Sequence, residues 1–269
     1  MEPHPVIRVR DLVLDYGPKR VLDGVSFDVQ RGEVCAILGG SGSGKSTILK
    51  NIIRLIEPTA GFIEVDGQDI TRAAGEELLM ARRKMGVMFQ SGALFSSMTL
   101  GENVALPLRE YTDMPTELIQ TLVQFKLALV GLAGFHDFMP AELSGGMRKR
   151  AALARAMALD PQILLFDEMS AGLDPVTSAE LDRLVLEVNR SLGITIVVVT
   201  HELPSIEAIA DHAVMLHKGQ IIAEGSPAEL IRSGIEEVRT FFHREPRQLS
   251  TARSAERWSD ILNADEGGS

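Results

Sequence analysis

The 269-residue chain is 45% hydrophobic and 24% charged, the balance of a globular protein able to bury a substantial core as one domain, or one domain with a subdomain. Its net charge of −10 argues against a general nucleic-acid binder, which presents a basic face. A single cysteine, Cys35, rules out an internal disulfide and, inside an apolar run, reads as a small core residue.

The N-terminus has no signal-peptide pattern, and no apolar run reaches bilayer length. The expectation is a cytosolic protein whose membrane role, if any, comes through a partner.

Residues 7–14, 25–29 and 34–38 are short β-like runs separated by turn residues, and residues 62–66, followed by Gly67, form another. This section predicts a small, largely antiparallel sheet. The run 34–38 leads into GGSGSGKST: Gly39, Gly40, Ser41, Gly42, Ser43, Gly44, Lys45, Ser46 and Thr47. A helix-like run follows, so the spacing G-x-x-x-x-G-K-[ST] stands in the strand–loop–helix context a phosphate-binding loop requires. Glycines let backbone N–H groups turn inward around phosphate oxygens. The helix start adds its dipole. Lys45 then reaches the outer phosphates, and the Ser46 hydroxyl helps to hold Mg²⁺.

Residues 91–160 are rich in Met, Leu and Ala with few β-branched clusters, the pattern of a helical subdomain inserted into an α/β core. Within it, Ser144, Gly145 and Gly146 precede a predicted helix on which Met147, Ala151, Ala154 and Ala158 share a face, with Pro161 after its end. A Ser-Gly-Gly helix start is a second anion-binding arrangement. One γ-phosphate does not need two such sites, so the economical explanation is that the second serves a nucleotide held by another copy.

From residue 162 the β/α alternation returns. An apolar strand at 163–166 ends in Asp167 and Glu168, where ligands of parallel α/β sheets bind. Strand alternation points the two carboxylates differently, which suits Mg²⁺ binding by Asp167 and orientation of an attacking water by Glu168. A helix near 176–192 precedes a β-branched strand, 194–199, with His201 just beyond it and within credible reach of a γ-phosphate. Both strands are almost wholly apolar, as parallel strands covered on both faces are. Gln90 ends the run 85–90, where a neutral amide can touch Mg²⁺ or water. Ser226, Pro227 and Glu229 spell a helix start with a capping box. Beyond about 245 the chain is polar, apart from an apolar stripe of Trp258, Ile261 and Leu262. Docking on its own subunit, contact with a neighbour, and disorder remain open readings for it.

The phosphate loop, Gln90, Leu143-Ser144-Gly145-Gly146, Asp167-Glu168, Ala171-Gly172-Leu173-Asp174 and His201 occur in that order. Over roughly residues 5–240 the chain resembles the ATP-binding subunit of an ABC transporter, with 241–269 as a C-terminal tail. The resemblance implies an α/β P-loop ATPase core of mostly parallel sheet with flanking helices, an N-terminal antiparallel β subdomain and the inserted helical subdomain. It implies two copies closing head to tail over two ATP, each between one copy's phosphate loop and the other's Ser144, Gly145 and Gly146. By the same resemblance, Tyr16 stacks on adenine, Asp174 communicates across the dimer, Glu168 is the catalytic glutamate and His201 the switch histidine.

Residues 89–95, 103–110 and 143–150 look closer to one branch: the ATPases of the Mla (maintenance of lipid asymmetry) and Mce (mammalian cell entry) lipid-transport systems, including the toluene-tolerance type. That implies an integral permease, an Mce-domain substrate-binding protein, no nucleic acid, and a place on the cytoplasmic face of the inner membrane. Met147, Met169 and Glu202 stand where the wider family more often has Gln, Pro and Asp. An ABC importer for small polar solutes is the alternative. A soluble ABC mechanical ATPase is a further one, disfavoured by the acidic charge and the single cassette.

Overall fold

A computed structural model describes residues 4–243; the 244–269 part of the tail, with Trp258, Ile261 and Leu262, lies outside the described residues. In chain order the elements are β1 (Ile7–Tyr16), β2 (Lys19–Val29), β3 (Val34–Leu38), α1 (Lys45–Ile52), β4 (Ala60–Val65), β5 (Gln68–Asp69), α2 (Gly75–Arg83) and β6 (Met85–Met88). Then follow α3 (Leu100–Tyr111), α4 (Thr116–Leu129), a 3₁₀ turn (Pro140–Glu142), α5 (Gly145–Ala156), β7 (Ile163–Asp167), α6 (Pro175–Leu192) and β8 (Thr195–Val199). The last are α7 (Leu203–Ile209), β9 (His212–His217), β10 (Gln220–Gly225), α8 (Pro227–Ile231) and α9 (Glu236–His243).

Two sheets organise these elements. β2-β1-β4-β5 is antiparallel throughout. The larger sheet runs β10-β9-β3-β8-β7-β6 and is parallel except for its β9–β10 edge. The antiparallel section predicted from residues 6–38 is therefore one strand too long. β3 leaves it to become an inner strand of the parallel sheet, because its five residues, all apolar, are buried on both faces, an environment an antiparallel sheet with one wet face does not offer. The strand pattern of β1 instead alternates buried and partly exposed side chains.

Two cores lie on the two sides of the parallel sheet. One joins Cys35, Ile37, Val197 and Val199 to α1 and the antiparallel strands. The other joins Ala36, Leu38, Phe166 and Val198 to the helices of the 91–160 region. Met169 is 1% exposed and belongs to this second core, so its side chain is a packing element. The capping box at Ser226 forms, with Glu229 N–H donating to the Ser226 hydroxyl and the Ser226 N–H to the Glu229 carboxylate. The predicted helix through Ala158 ends at Ala156, with Ala158 buried just past it.

Two buried polar side chains tie loops to this frame. Asn103, fully buried on α3, accepts from the Phe95 N–H at 2.8 Å and donates to the carbonyls of Phe95, Met98 and Thr99. Asp182 on α6 accepts from the Ser205 hydroxyl at 2.8 Å through Oδ2, while Oδ1 has no hydrogen-bond partner. Burial lifts the Asp182 carboxyl above its ordinary range, and the Ser205 bond only partly offsets this.

Asn103→Ala removes the side-chain partner of the Phe95 N–H and the Met98 carbonyl, the Phe95 and Thr99 carbonyls keeping backbone donors, and should cost about 1–3 kcal/mol, read as a lower urea midpoint at unchanged slope. Because Asp182 titrates higher folded than unfolded, its ionisation weakens the fold as pH rises through the folded value, and the penalty vanishes below the unfolded one. Urea unfolding across a pH series should therefore show Asp182→Asn gaining stability over the parent with rising pH. A pH-independent difference would contradict the buried-carboxyl account.

Candidate nucleotide site

Three adjacent parallel strands, β3, β8 and β7, end on one edge, and the residues after each form a single cleft. The chain after β3 is the glycine loop, and α1 begins at Lys45 directly behind it. Gly39 has φ +146°, and a Cβ there would sit 2.2 Å from the Leu216 carbonyl oxygen of β9. Gly44 has φ +111°, and its Cβ would sit 2.7 Å from the Leu22 side chain. Only glycine satisfies both the dihedral and the space, so the loop's path is set by packing against β9 and β2. The turn leaves the first N–H groups of α1 without intrahelical partners, an anion-binding arrangement.

The cleft, of about 860 Å³, is lined by Gly39, Gly40, Ser41, Gly42, Gly44, Lys45, Ser46 and Thr47, with Glu168 and His201 facing them and Tyr16 at the side. Lys45 Nζ donates to the Gly39 and Gly40 carbonyls at 2.9 and 3.0 Å. Burial lowers its pKa, opposed by Glu168 and Asp167 nearby. Ser43 is buried at 7% exposure, and its hydroxyl has no hydrogen-bond partner.

The Ser46 hydroxyl donates to Asp167 Oδ1 at 2.8 Å, linking the loop after β3 to the end of β7. Two hard oxygen ligands side by side suit a small hard cation such as Mg²⁺. Glu168 follows with φ +50°, a left-handed conformation that costs a non-glycine residue of order 1–3 kcal/mol. Its N–H donates to the Val199 carbonyl at 2.8 Å, and its Oε1 lies 3.1 Å from His201 Nδ1. The strained backbone is thus held by β8, and the side chain by the residue two beyond β8. His201 Nε2 lies 3.7 Å from Glu202 Oε1.

Not every sequence-predicted residue reaches this cleft. Gln90, two residues past β6, is absent from its lining; its carbonyl accepts from Lys149 Nζ on α5. Burial lowers the Lys149 pKa, with Glu168 pulling it back up. Ser144, Gly145 and Gly146 also lie outside the cleft lining. Ser144 caps α5, its hydroxyl accepting from the Met147 N–H at 3.2 Å. Asp174 caps α6, accepting from the Val176 and Thr177 N–H groups at 3.0 and 3.1 Å. Its carboxyl is held below the ordinary range, first by the Thr177 hydroxyl and then by these N–H groups. Within one chain, then, the phosphate loop, Asp167, Glu168 and His201 assemble, while the residues at 144–146 stand apart.

The sequence reading missed Phe241, which lines the cleft from α9 together with Lys19 and Val21 from β2. α9 runs across the 240/241 position taken as the start of the tail. The apolar spacing of Val238, Phe241 and Phe242 was the available signal for a docked helix, and Val238 and Phe242 are indeed buried.

A family model described as ABC transporter matches residues 22–171. The intermembrane phospholipid transport system ATP-binding protein MlaF of Escherichia coli K12 is 44% identical over 236 residues, covering 88% of each chain. A Mycobacterium leprae protein named probable ribonucleotide transport ATP-binding protein mkl is 44% identical over 237 residues, 88% of this chain and 68% of the other. The solved dimer of the ATP-binding cassette MJ0796, in a post-hydrolysis state with ADP and Pi, superposes with a TM-score of 0.75 at 31% identity, covering 82% of this chain and 98% of that one. Matched by the family model over more than half its length, and by such relatives over most of it, the chain belongs to the ABC transporter family as an ATP-binding ATPase.

Proposed function

We propose that this chain powers an ABC transporter of phospholipids or other hydrophobic molecules, working as a head-to-tail pair with an integral permease and an Mce-domain substrate-binding protein at the cytoplasmic face of the inner membrane. The observation that carries the catalytic part is the convergence of Lys45, Ser46, Glu168 and His201 on one strand-end cleft, with Asp167 held against it by the Ser46 hydroxyl. The lipid cargo is supported by the 44% identity to a phospholipid-system ATPase over 88% of both chains. Among the described residues no helix is long and apolar enough to cross a membrane, which fits a separate permease. The equal identity to the mycobacterial protein named for ribonucleotide transport keeps a polar-solute transporter as the second reading.

In the proposed mechanism the phosphates of ATP lie against the loop N–H groups, and Lys45 leaves the Gly39 and Gly40 carbonyls to meet the outer phosphates. Tyr16 and Phe241 flank the cleft as apolar surfaces for the base, with Tyr16 stacking on adenine. Ser46 and Asp167, joined by Gln90 once the helical region moves inward, would hold Mg²⁺, which neutralises phosphate charge. Glu168 orients a water whose oxygen bonds to the γ-phosphorus as the bond to the bridging oxygen breaks. The electron pair leaves with ADP, and a water proton passes toward the Glu168 carboxylate. His201, hydrogen-bonded to Glu168, fixes that carboxylate and faces the γ-phosphate. Ser144, Gly145 and Gly146 of the second copy complete the phosphate's surroundings, and Asp174 carries the contact between copies. Positioning and electrostatics supply most of the rate in such a site.

Two variants test the chemistry in the purified transporter. Lys45→Ala should lower kcat/KM for ATP by roughly a hundredfold or more; near-parental turnover would remove Lys45 from the phosphate site. Glu168→Gln should keep ATP affinity but lose roughly 10²–10⁴ in kcat and accumulate a closed, ATP-bound dimer. Mass spectrometry of lipids and proteins captured with that variant separates the cargo readings. Phospholipid with an Mce-domain protein supports the first, whereas a solute-binding protein without lipid replaces it with the second.

A further inference from the structure

At the end of β3 remote from the phosphate loop, three chemically different side chains converge. Glu33 immediately precedes β3, Cys35 is its second residue, and His212, the first residue of β9, is the register partner of Cys35. Cys35 Sγ lies 3.7 Å from His212 Nδ1. Glu33 Oε1 lies 3.7 Å from the same nitrogen and accepts from the Gln30 N–H at 2.7 Å, which fixes the carboxylate in place. One ligand atom from each of the three residues lies within 4.8 Å of the others. The remaining ring nitrogen, His212 Nε2, is 3.2 Å from Glu224 Oε1 on β10.

Tetrahedral zinc, with bonds of about 2.3 Å to sulfur and about 2.0–2.1 Å to nitrogen or oxygen, puts its ligand atoms about 3.3–3.6 Å apart. Both distances to Nδ1 exceed that by only a few tenths of an ångström, and the three ligand atoms lie within 4.8 Å of one another, so closing on an ion requires the Glu33 carboxylate to turn inward. We propose that Glu33, Cys35 and His212 form a binding site for a thiophilic divalent cation of the zinc class, distinct from the nucleotide's Mg²⁺.

The donor set supports this chemistry. A thiolate with an imidazole selects zinc-like ions over Mg²⁺ or Ca²⁺. With Glu224 Oε1 3.2 Å from Nε2, a metal at Nδ1 would leave the Nε2–H facing that carboxylate, the carboxylate–histidine–metal arrangement. The cluster is not a set of exposed acids: Cys35 is fully buried, and the His212 and Glu33 side chains are 21% and 16% exposed. An ion held by the Cys35 sulfur, the His212 nitrogen and the Glu33 oxygen would displace the thiol proton to solvent. The ion would cross-link β3 to β9, the pair whose other ends bring the Leu216 carbonyl against Gly39.

Cobalt(II) titration of the chelator-treated full-length chain tests the site. Cys35 is the only cysteine, so a thiolate-to-cobalt charge-transfer band reports this position alone. The expected result is a band that saturates at one equivalent, is bleached by Zn²⁺, disappears in Cys35→Ala, and persists in Glu224→Gln with affinity roughly 10- to 100-fold weaker. Zn²⁺ should also raise the thermal midpoint of the parent. If Cys35→Ala does not fold, loss of the band in His212→Ala and Glu33→Gln carries the same conclusion. Absence of any band in the folded parent would leave the cluster an ion-paired clasp between strands. A band of undiminished affinity in His212→Ala and Glu33→Gln would reduce it to a thiol that binds cobalt adventitiously. Either result overturns the proposal.

Discussion

Parallel pairing of β3 with β8 and of β8 with β7 is the constraint on which the nucleotide site depends. It aligns the C-terminal ends of three strands, so that the glycine loop, His201 and the Asp167–Glu168 pair emerge on one edge within reach of each other. The pairing is held by burial: every residue of β3 and β8 is buried, with a core on each face of the sheet. Shifting β7 by one residue against β8 would exchange the faces of Asp167 and Glu168. Ser46 would then lose its carboxylate partner and His201 its own.

The cleft is preorganised at a cost that the surrounding frame offsets. Glu168 occupies a left-handed conformation, yet its N–H is tied to β8 and its side chain to His201. Lys45 is buried beside two carboxylates and satisfies itself on loop carbonyls. Lys149, buried on α5, holds the Gln90 carbonyl while sensing the Glu168 charge. That lysine joins α5 to the Gln90 carbonyl by a hydrogen bond and lies within the field of the Glu168 carboxylate.

Three helix starts differ in a way that bears on assembly. The α1 start opens into the cleft of its own chain, whereas the α5 start at Ser144 and the α6 start at Asp174 lie elsewhere on the surface. Each of the latter two caps its own helix with its side chain. A capped Ser-Gly-Gly turn remote from the chain's own phosphate loop has chemical use if another copy presents a phosphate to it. The solved dimer of a 31%-identical cassette is in keeping with that arrangement.

Local chemistry was legible in the chain. The spacing of Gly39, Gly44, Lys45 and Ser46, the apolar run ending at Asp167 and the Ser226 capping box are patterns whose meaning lies within a few residues, and each appears where the sequence placed it. The order of strands is different in kind. β3 follows β2 in the chain but pairs with β8 and β9, more than a hundred residues later, and no local period records that choice. The same holds for Phe241 entering the cleft from α9, and for Cys35, an ordinary core residue in the sequence, meeting His212 and Glu33. The sequence by itself determined which groups this protein carries and the local turns that present them, because propensity, capping and glycine requirements act over one or two turns of chain. The tertiary structure alone decided which groups meet, because burial of both faces of the central strands selects their neighbours, and those neighbours bring distant residues into contact.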